Sequence, residues 1–274
     1  MPVYILMTCH NRKEKTLECI RTLYDKRLNM RFVIVDDGST DGTGQAIEEF
    51  ARSEGLKIRI LQGNGNLYWA GGMRKAMDYV LRQDIGKAYV VLVNDDVRFF
   101  PGAIEKMMLR SKEKGDAAVA GAVQSTRGDL SYGGVQYDRK RVSPQFLGIA
   151  DADSYPCDTA NCNCLLLPYF IFNDCGSFDR HFVHSMADYD YGFKINRLGY
   201  RIWSTDFFVG ICDDNPVKNT WRDASLNRLE RIKLKESPKG LPFLEWFYFI
   251  NKNFGLVQAL WHSITPYLRI FIGK

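Results

Sequence analysis

Through its first hundred residues the chain repeats one pattern: an unbroken apolar run, a polar turn, then apolar positions three or four apart. Val3–Met7 runs into Thr8-Cys9-His10-Asn11-Arg12, after which Leu17, Ile20, Leu23 and Tyr24 recur at helical spacing. Arg31–Val35 ends in Asp36-Asp37. The turn Gly38-Ser39-Thr40-Asp41-Gly42-Thr43 follows, suited to cap a helix carrying Ala46, Ile47, Phe50 and Ala51. Ile58–Leu61 precedes Gly63-Asn64-Gly65-Asn66 and a helix from about Ala70 to Arg82, and Tyr89–Val93 is the fourth run. Short β-branched runs predict strands buried on both faces. Their alternation with helices predicts βαβ units and a mostly parallel sheet.

After a helix from Pro101 to about Lys114 the pattern changes. Ala117–Val123, Leu130–Tyr137 and Leu165–Phe172 read as strands with no full helix between them, hence a smaller mixed sheet. Asp188–Leu198 reads as helix and Tyr200–Phe208 as extended. Arg222–Lys239 is basic, and Leu241–Ile272 carries a wide apolar stripe through Phe243, Trp246, Phe247, Ile250, Phe254 and Trp261. That stripe covers either the domain or a second subunit, as in a homodimer, or else it lies in a membrane interface.

Composition narrows the class. At 274 residues, 46% hydrophobic and 25% charged, the chain suits one large domain with an extension. A net charge of +5 points to an acidic ligand or membrane surface and not to a nucleic-acid partner. The start MPVYILMTCHNR reads as a strand without signal-peptide features, and no apolar run reaches the ~18 residues of a spanning helix. Seven cysteines, an odd number, predict reduced thiols and a cytoplasmic setting, with peripheral contact at the inner membrane face open to the extension.

Chemistry concentrates where strands end. Tyr89–Val93 runs into Asn94-Asp95-Asp96, and Asp36-Asp37 closes the second strand. Asp36-Asp37 alone reads as a cap or a solvated turn. Two such pairs on neighbouring parallel strands converge on one crevice, at the carboxyl ends where open α/β sheets bind ligands. Adjacent buried carboxylates are best tolerated around a cation, and oxygen-only ligands suit Mg²⁺ or Mn²⁺. Two nucleotide fingerprints are excluded: Tyr68 stands where G-x-G-x-x-G needs its last glycine after Gly63-x-Gly65, and no G-x-x-x-x-G-K-[ST] occurs.

Thr8-x-x-Asn11-Arg12, Asp36-Asp37-Gly38-Ser39-Thr40-Asp41-Gly42-Thr43, Trp69-Ala70-Gly71-Gly72 and Asn94-Asp95-Asp96 resemble the family 2 glycosyltransferases of the GT-A fold. Gly176-x-Phe178-Asp179, Ala187-Asp188-Tyr189-Asp190-Tyr191 and Gly199-Tyr200 extend the resemblance over roughly residues 3–210, toward bacterial rhamnosyl and hexosyl transferases of cell-surface polysaccharide synthesis. It implies an α/β, Rossmann-like domain at 1–210, with a nucleotide half at 1–100 and an acceptor half at 101–210. A basic and aromatic helical extension, 211–274, completes the chain. By resemblance, Thr8, Arg12, Asp36 and Asp37 border base and ribose, while Asn66, Gly71 and Gly72 let backbone approach the nucleotide. Asn11, Trp69 and Asn94 complete the donor side, and Asp95 faces donor ribose or sugar. Asp96 ligates Mg²⁺ or Mn²⁺ on the diphosphate, and Asp188 is the general base that takes a proton from the acceptor hydroxyl, inverting the anomeric centre. The implied partners are a nucleoside-diphosphate sugar, of dTDP-rhamnose or UDP-hexose type, and a glycan or polyprenyl-diphosphate-linked acceptor.

Three positions depart from the family pattern. Ala187 replaces the acid before the base, and Asn94 stands where many members have Asp. The segment Phe208-Val209-Gly210-Ile211-Cys212-Asp213-Asp214-Asn215 lacks the His that completes many metal sites, so either Cys212 or Asp213 replaces it or the third protein ligand is absent. Asp190, about 200° from Asp188 on a helix, reads as a cap or ion-pair residue. His181 and His184 read as loop residues, and Tyr68 and Trp69 as either packing or sugar-stacking groups. Cys157, Cys162, Cys164 and Cys175 lack zinc-knuckle spacing. A sugar-nucleotide pyrophosphorylase would need a glycine-rich loop that His10-Asn11-Arg12-Lys13 is too short to form. A non-catalytic sugar-binding module would have no reason to keep Asp96 and Asp188 together.

Overall fold

The computed structural model describes residues 1–213 and 216–273, so Asp214 and Asn215 lie outside the described residues. Each apolar run forms its strand. β1 (Pro2–Cys9), α1 (Lys13–Leu23), β2 (Asn29–Asp36), α2 (Thr43–Glu54), β3 (Lys57–Gln62), α3 (Tyr68–Leu81) and β4 (Tyr89–Val93) build parallel pairs in the order β3-β2-β1-β4. The two acid-bearing strands therefore flank β1 and are not direct neighbours. β1, the first strand made, takes the centre, so both acid pairs sit one strand away from the loop that starts α1.

The second half is mixed, as its pattern predicts. β5 (Arg98–Phe99), α4 (Ala103–Glu113), β6 (Ala118–Gln124), β7 (Leu130–Tyr132), β8 (Gly134–Asp138), β9 (Ser143–Phe146), β10 (Thr159–Ala160), β11 (Cys164–Pro168), α5 (Tyr169–Cys175), α6 (Ala187–Arg197) and β12 (Ile202–Ile211) follow. β11 runs antiparallel between β4 and β6, β12 lies parallel to β6, and β5 closes that edge. β8, β9 and β10 form a separate antiparallel sheet. Two expected strands are shorter than predicted. Leu130–Tyr137 divides at Gly133 because β7 pairs with the main sheet and β8 with the small one. Leu165–Phe172 ends at Pro168, which has no N–H for the ladder and a φ of -53° ready to start α5.

Strand alternation divides the core between the two faces of the sheet. Tyr4, Leu6, Val33, Val35, Val90 and Leu92 face α3 and the acceptor half. Val3, Ile5, Met7, Phe32, Ile34 and Val91 face the other side, where α1, α2 and α4 pack. Period-2 burial on both faces is what an unbroken apolar run encodes.

The extension is three helices after a short basic one: α7 (Arg228–Lys235), α8 (Phe243–Phe254), α9 (Leu256–His262) and α10 (Thr265–Phe271). Gly255, at φ 95°, breaks the single stripe between α8 and α9. Phe249, Ile250 and Ala259 are fully buried in the same cluster as Tyr191, Phe193 and Ile195 of α6, so the inner face of the stripe covers the domain.

Candidate active site

The site begins at the carboxyl ends of β1, β2 and β4. Asn11 adopts the left-handed conformation, φ 50°, which Asn tolerates better than most residues. Its Oδ1 accepts the Thr40 N–H at 2.7 Å and its N–H donates to Ser39 Oγ at 3.0 Å, which ties the loop after β1 to the loop after β2. That fixes Arg12 at the start of α1, facing β4.

Arg12 is the cation between the two acids. Its Nη1 donates to Asp95 Oδ1 at 2.8 Å and its Nη2 to Asp96 Oδ2 at 2.9 Å. The other oxygen of Asp95 accepts from Thr16 Oγ1 at 3.2 Å. Asp95 is thus buried and held from both sides by Arg12 and Thr16. Burial drives its pKa up to about 6, and repulsion from Asp96 adds to the rise while Arg12 opposes it. Thr16 escaped the sequence reading, although its i+4 spacing from Arg12 puts both on one helix face.

Asp96 is different. Its side chain keeps 20% of its surface, enough for one oxygen edge to meet a ligand. Its Oδ1 lies 3.6 Å from Cys212 Sγ, whose S–H donates to it. The thiol is pushed up to about 12, by burial first and then by Asp96, so Cys212 meets Asp96 here as a neutral S–H donor. Asp213 points elsewhere: its Oδ1 accepts the Thr126 N–H at 2.7 Å and Thr126 Oγ1 at 2.9 Å. Asp213 therefore does not replace the missing His, and among the described residues no group of three His, Cys, Asp or Glu is set to hold a metal. A single open carboxylate still fits Mg²⁺ or Mn²⁺, which bind commonly through one or two carboxylates with phosphate oxygens and water.

The first acid pair is spent on backbone. Asp37 Oδ1 accepts the Gly65 N–H at 2.8 Å, and its Oδ2 accepts those of Leu67 at 2.9 Å and Tyr68 at 3.2 Å. Asp36 Oδ1 accepts from Ser39 N at 2.9 Å. Both are almost fully buried. The turn after β3 wraps Asp37 so closely that a Cβ on Gly63 would lie 2.3 Å from Asp37 Oδ1. Asn66, exposed on that turn, has its N–H held by Asn64 Oδ1.

The Trp-Ala-Gly-Gly segment is packing as much as lining. A Cβ on Gly72 would lie 2.1 Å from Thr8 Oγ1, so this glycine lets α3 cross the end of β1. Thr8 is buried beneath it with its hydroxyl on the Val35 carbonyl. Gly71 sits against Leu67 and Arg74 of its own helix end. The Trp69 indole donates to Asn94 Oδ1 at 2.8 Å and packs on Phe178 with centroids 5.5 Å apart, while its backbone N–H meets His184 Nδ1 at 3.4 Å. Trp69 is a brace between halves, pinned at ring and backbone. Burial lowers the His184 pKa to about 4, which keeps its ring neutral and able to accept there.

Asp188 occupies the first turn of α6, half-buried. Its Oδ1 accepts the Tyr189 N–H at 2.9 Å, the Cys162 backbone N–H also donates to it, and Asn161 Nδ2 reaches Oδ2 at 3.5 Å. Burial outweighs these donors and raises the pKa to about 6. Two residues on, Asn163 O accepts the Asn94 N–H at 3.4 Å and Asn163 Nδ2 lies 3.9 Å from Cys212 Sγ. The stretch 161–163 therefore touches Asp188 at one end and the surroundings of Asp96 at the other. Nothing in its spacing predicted that role.

Asp190 is the ion-pair residue its spacing suggested, bound by Lys252 Nζ at 2.8 Å and Asn253 Nδ2 at 3.2 Å from α8. Asp179 takes Lys252 Nζ at 2.7 Å, Tyr248 Oη at 2.8 Å and the His181 N–H. Partial burial pushes the Asp179 pKa up, but those hydrogen bonds outweigh it and hold the carboxyl well below the usual range. His181 stacks on Tyr248 at 4.0 Å. All seven cysteines are free and buried.

Solved structures with this architecture are GT-A glycosyltransferases. The mannosyltransferase PcManGT of Pyrobaculum calidifontis, in complex with GDP-Man and Mn²⁺, matches at TM-score 0.62 and 16% identity over 99% of this chain and 73% of its own. S. aureus TarS 1–349 matches at 0.56 and 16% over 98% and 81%, and GalNAc-T7 with UDP, GalNAc and Mn²⁺ at 0.62 and 8% over 98% and 54%. At such identities the likeness is one of fold, and the fold is GT-A. The model of the family described as Glycosyl transferase family 2 matches residues 4–167, and the chain belongs to that family. The uncharacterized protein MJ0544 of Methanocaldococcus jannaschii is 25% identical over 116 residues, 42% of this chain; the chain spans about half the length, 49%, of that curated relative.

Proposed function

We propose that the protein is an inverting glycosyltransferase that moves a sugar from a nucleoside diphosphate to a hydroxyl of a glycan or lipid-linked acceptor, in cell-surface polysaccharide synthesis. The observation that carries this reading is the 161–163 stretch, which joins a carboxylate raised to about 6 to the only partly open acid of the Asp95-Asp96 pair. A base that is ionised at neutral pH yet close to it in pKa suits proton removal from a sugar hydroxyl. Asp188 accepts that proton as the acceptor oxygen attacks the anomeric carbon, and the bond from that carbon to the diphosphate breaks on the opposite face. Asn161 donates to Asp188 and keeps a buried Oδ1 that takes no hydrogen bond among the described residues, a place to orient the incoming hydroxyl.

Asp96 would hold Mg²⁺ or Mn²⁺ together with the donor diphosphate, and the ion would supply charge neutralisation for the leaving group. Arg12 then stands beside the phosphates as a second cation. The Mn²⁺-containing mannosyltransferase and GalNAc-T7 structures support a divalent ion. Those neighbours hold GDP-Man and UDP with GalNAc, which supports a nucleoside-diphosphate sugar as the donor class. A dTDP-rhamnose or UDP-hexose donor is the reading we carry forward.

The test is direct. Purified protein with Mn²⁺ and a panel of nucleotide sugars should release nucleoside diphosphate slowly from one of them, faster with acceptor. Asp188→Asn should bind that nucleotide within about twofold of wild type and lose transfer by about 10³-fold or more. Transfer by Asp188→Asn at the wild-type rate would remove Asp188 as the base, and full activity in excess chelator would remove the metal.

A further inference from the structure

The outer face of α9 and α10 has no partner in the fold. Of the seventeen exposed large hydrophobic side chains among the described residues, eight fall within 256–272, so the exposure is concentrated and not scattered. Leu256, Leu260, Ile264, Leu268 and Ile272 recur every fourth residue, and Val257 and Trp261 beside them are 80% and 65% exposed. The opposite stripe, Ala259, Ser263, Pro266 and Ile270, is the buried one. These helices therefore carry two apolar faces, and only one is used to close the core.

The surroundings of the free face are cationic. From Trp246 onward the sequence has no Asp or Glu, and of its basic residues Lys252 is held by Asp179 and Asp190 while Arg269 is free of such a partner among the described residues. The turn joining β8 and β9 brings Arg139, Lys140 and Arg141, all exposed, against the α8–α9 corner. There Arg139 Nη1 meets the Asn253 carbonyl at 3.5 Å and its guanidinium lies over the Phe254 ring, and the His262 ring meets the Lys140 backbone. The neighbouring acid, Asp138, accepts the N–H groups of Lys140 and Arg141 and pairs with the exposed Arg141 side chain at 3.8 Å, which leaves Arg139 and Lys140 as the uncompensated charges of the turn. Arg269 is exposed on α10, and Lys233 is exposed on α7, which packs against it. No helix among the described residues is long and apolar enough to cross a membrane.

We propose that the outer face of α9–α10, with Arg139, Lys140, Arg141 and Arg269 around it, docks the protein onto an anionic lipid bilayer surface. An apolar stripe with Trp and Leu, flanked by cations, is the arrangement by which helices lie in the headgroup region. A second copy of the chain is the poorer occupant. A two-fold contact across this face would bring the same cations of both copies together, and the acid beside α10, Glu236, is already taken by Lys235 and Tyr267. The docking stands apart from the transfer chemistry and is tested without it.

The experiment is co-sedimentation of the full chain with phosphatidylcholine vesicles, with and without about 30% phosphatidylglycerol. Binding is expected to the anionic vesicles, at least about tenfold tighter than to neutral ones, and to weaken as salt rises to about 0.5 M. Val257→Asp with Leu268→Asp, both at exposed positions, should cut it by about tenfold or more without moving the melting temperature, and Lys140→Gln with Arg141→Gln should narrow the anionic preference. Wild-type Trp fluorescence should shift to the blue on binding, and less so in Trp261→Phe. Absence of sedimentation with anionic vesicles, or equal binding to neutral ones, overturns the proposal. So does a light-scattering dimer that the Val257→Asp, Leu268→Asp variant dissolves, which would assign the face to a second copy.

Discussion

Asp36-Asp37 and Asp95-Asp96 look alike in the sequence, two adjacent acids closing a parallel strand, yet the fold uses them in opposite ways. The first pair is filled by backbone: Asp37 alone takes three N–H groups from the turn after β3. The second is filled by a side chain, the Arg12 guanidinium, and leaves Asp96 with an open edge. A carboxylate ringed by backbone N–H groups holds its turn in shape, because its donors belong to the chain itself. A carboxylate held by a side chain is available, because a side chain can re-pair with phosphate when a donor arrives. The difference lies in the partner and not in the acid.

Two substitutions break or sharpen that contrast. Asp96→Asn should lower transfer by about 10³-fold, the size of losing one preorganised electrostatic contact to a leaving group, and leave the melting temperature within about 2 °C. Mn²⁺ binding in the presence of nucleoside diphosphate, followed by the ion's paramagnetic resonance, should fall with it. Asp37→Ala should do the reverse. Three N–H groups lose a charged acceptor, so stability should drop by about 3 kcal/mol, read as a lowered urea midpoint with unchanged slope. If Asp37→Ala left stability intact while Asp96→Asn unfolded the protein, the assignment of roles to the two pairs would be reversed.

The sequence carried the parallel half well because its signals are local: apolar runs, helical spacing and turn residues repeat within thirty residues of one another. The same locality singled out Asp95, Asp96 and Asp188 as candidates, since the motifs around them are contiguous. What it did not carry was partnership across the fold. The pairing of Arg12 with Asp95 and Asp96 had no signal in the sequence, because that loop is over eighty residues away and only the β1–β4 pairing brings it there. Thr8 and Gly72 were expected near the nucleotide, and their close contact with each other across the β1–α3 crossing had no signal in the sequence. Asn161 and Asn163 had no motif at all. Asp179, quoted in the Gly176-x-Phe178-Asp179 motif without a role, anchors Lys252 and Tyr248 and so ties α8 to the acceptor half.

The smallest expected effect is also the most diagnostic of the second pair. The pKa of Asp95 is about 6 in the folded protein against an ordinary carboxyl value of 3.8, and burial is the main cause. With the folded value above the unfolded one, the native state binds the extra proton between those limits. Stability from this group is therefore present below about pH 4 and lost as pH rises through about 6. Asp95→Asn removes the ionisation while keeping an oxygen for Arg12, and its amide can donate to a reoriented Thr16 hydroxyl. The lost charge attraction to Arg12 offsets much of the gain, so the variant should be about 1 kcal/mol more stable than wild type at pH 7.5 and no more stable at pH 4. Urea unfolding at the two pH values reads this directly. A parallel pH dependence in wild type and variant would mean that Asp95 is not the strained member of the pair, and that Arg12 fully compensates the charge it was placed to hold.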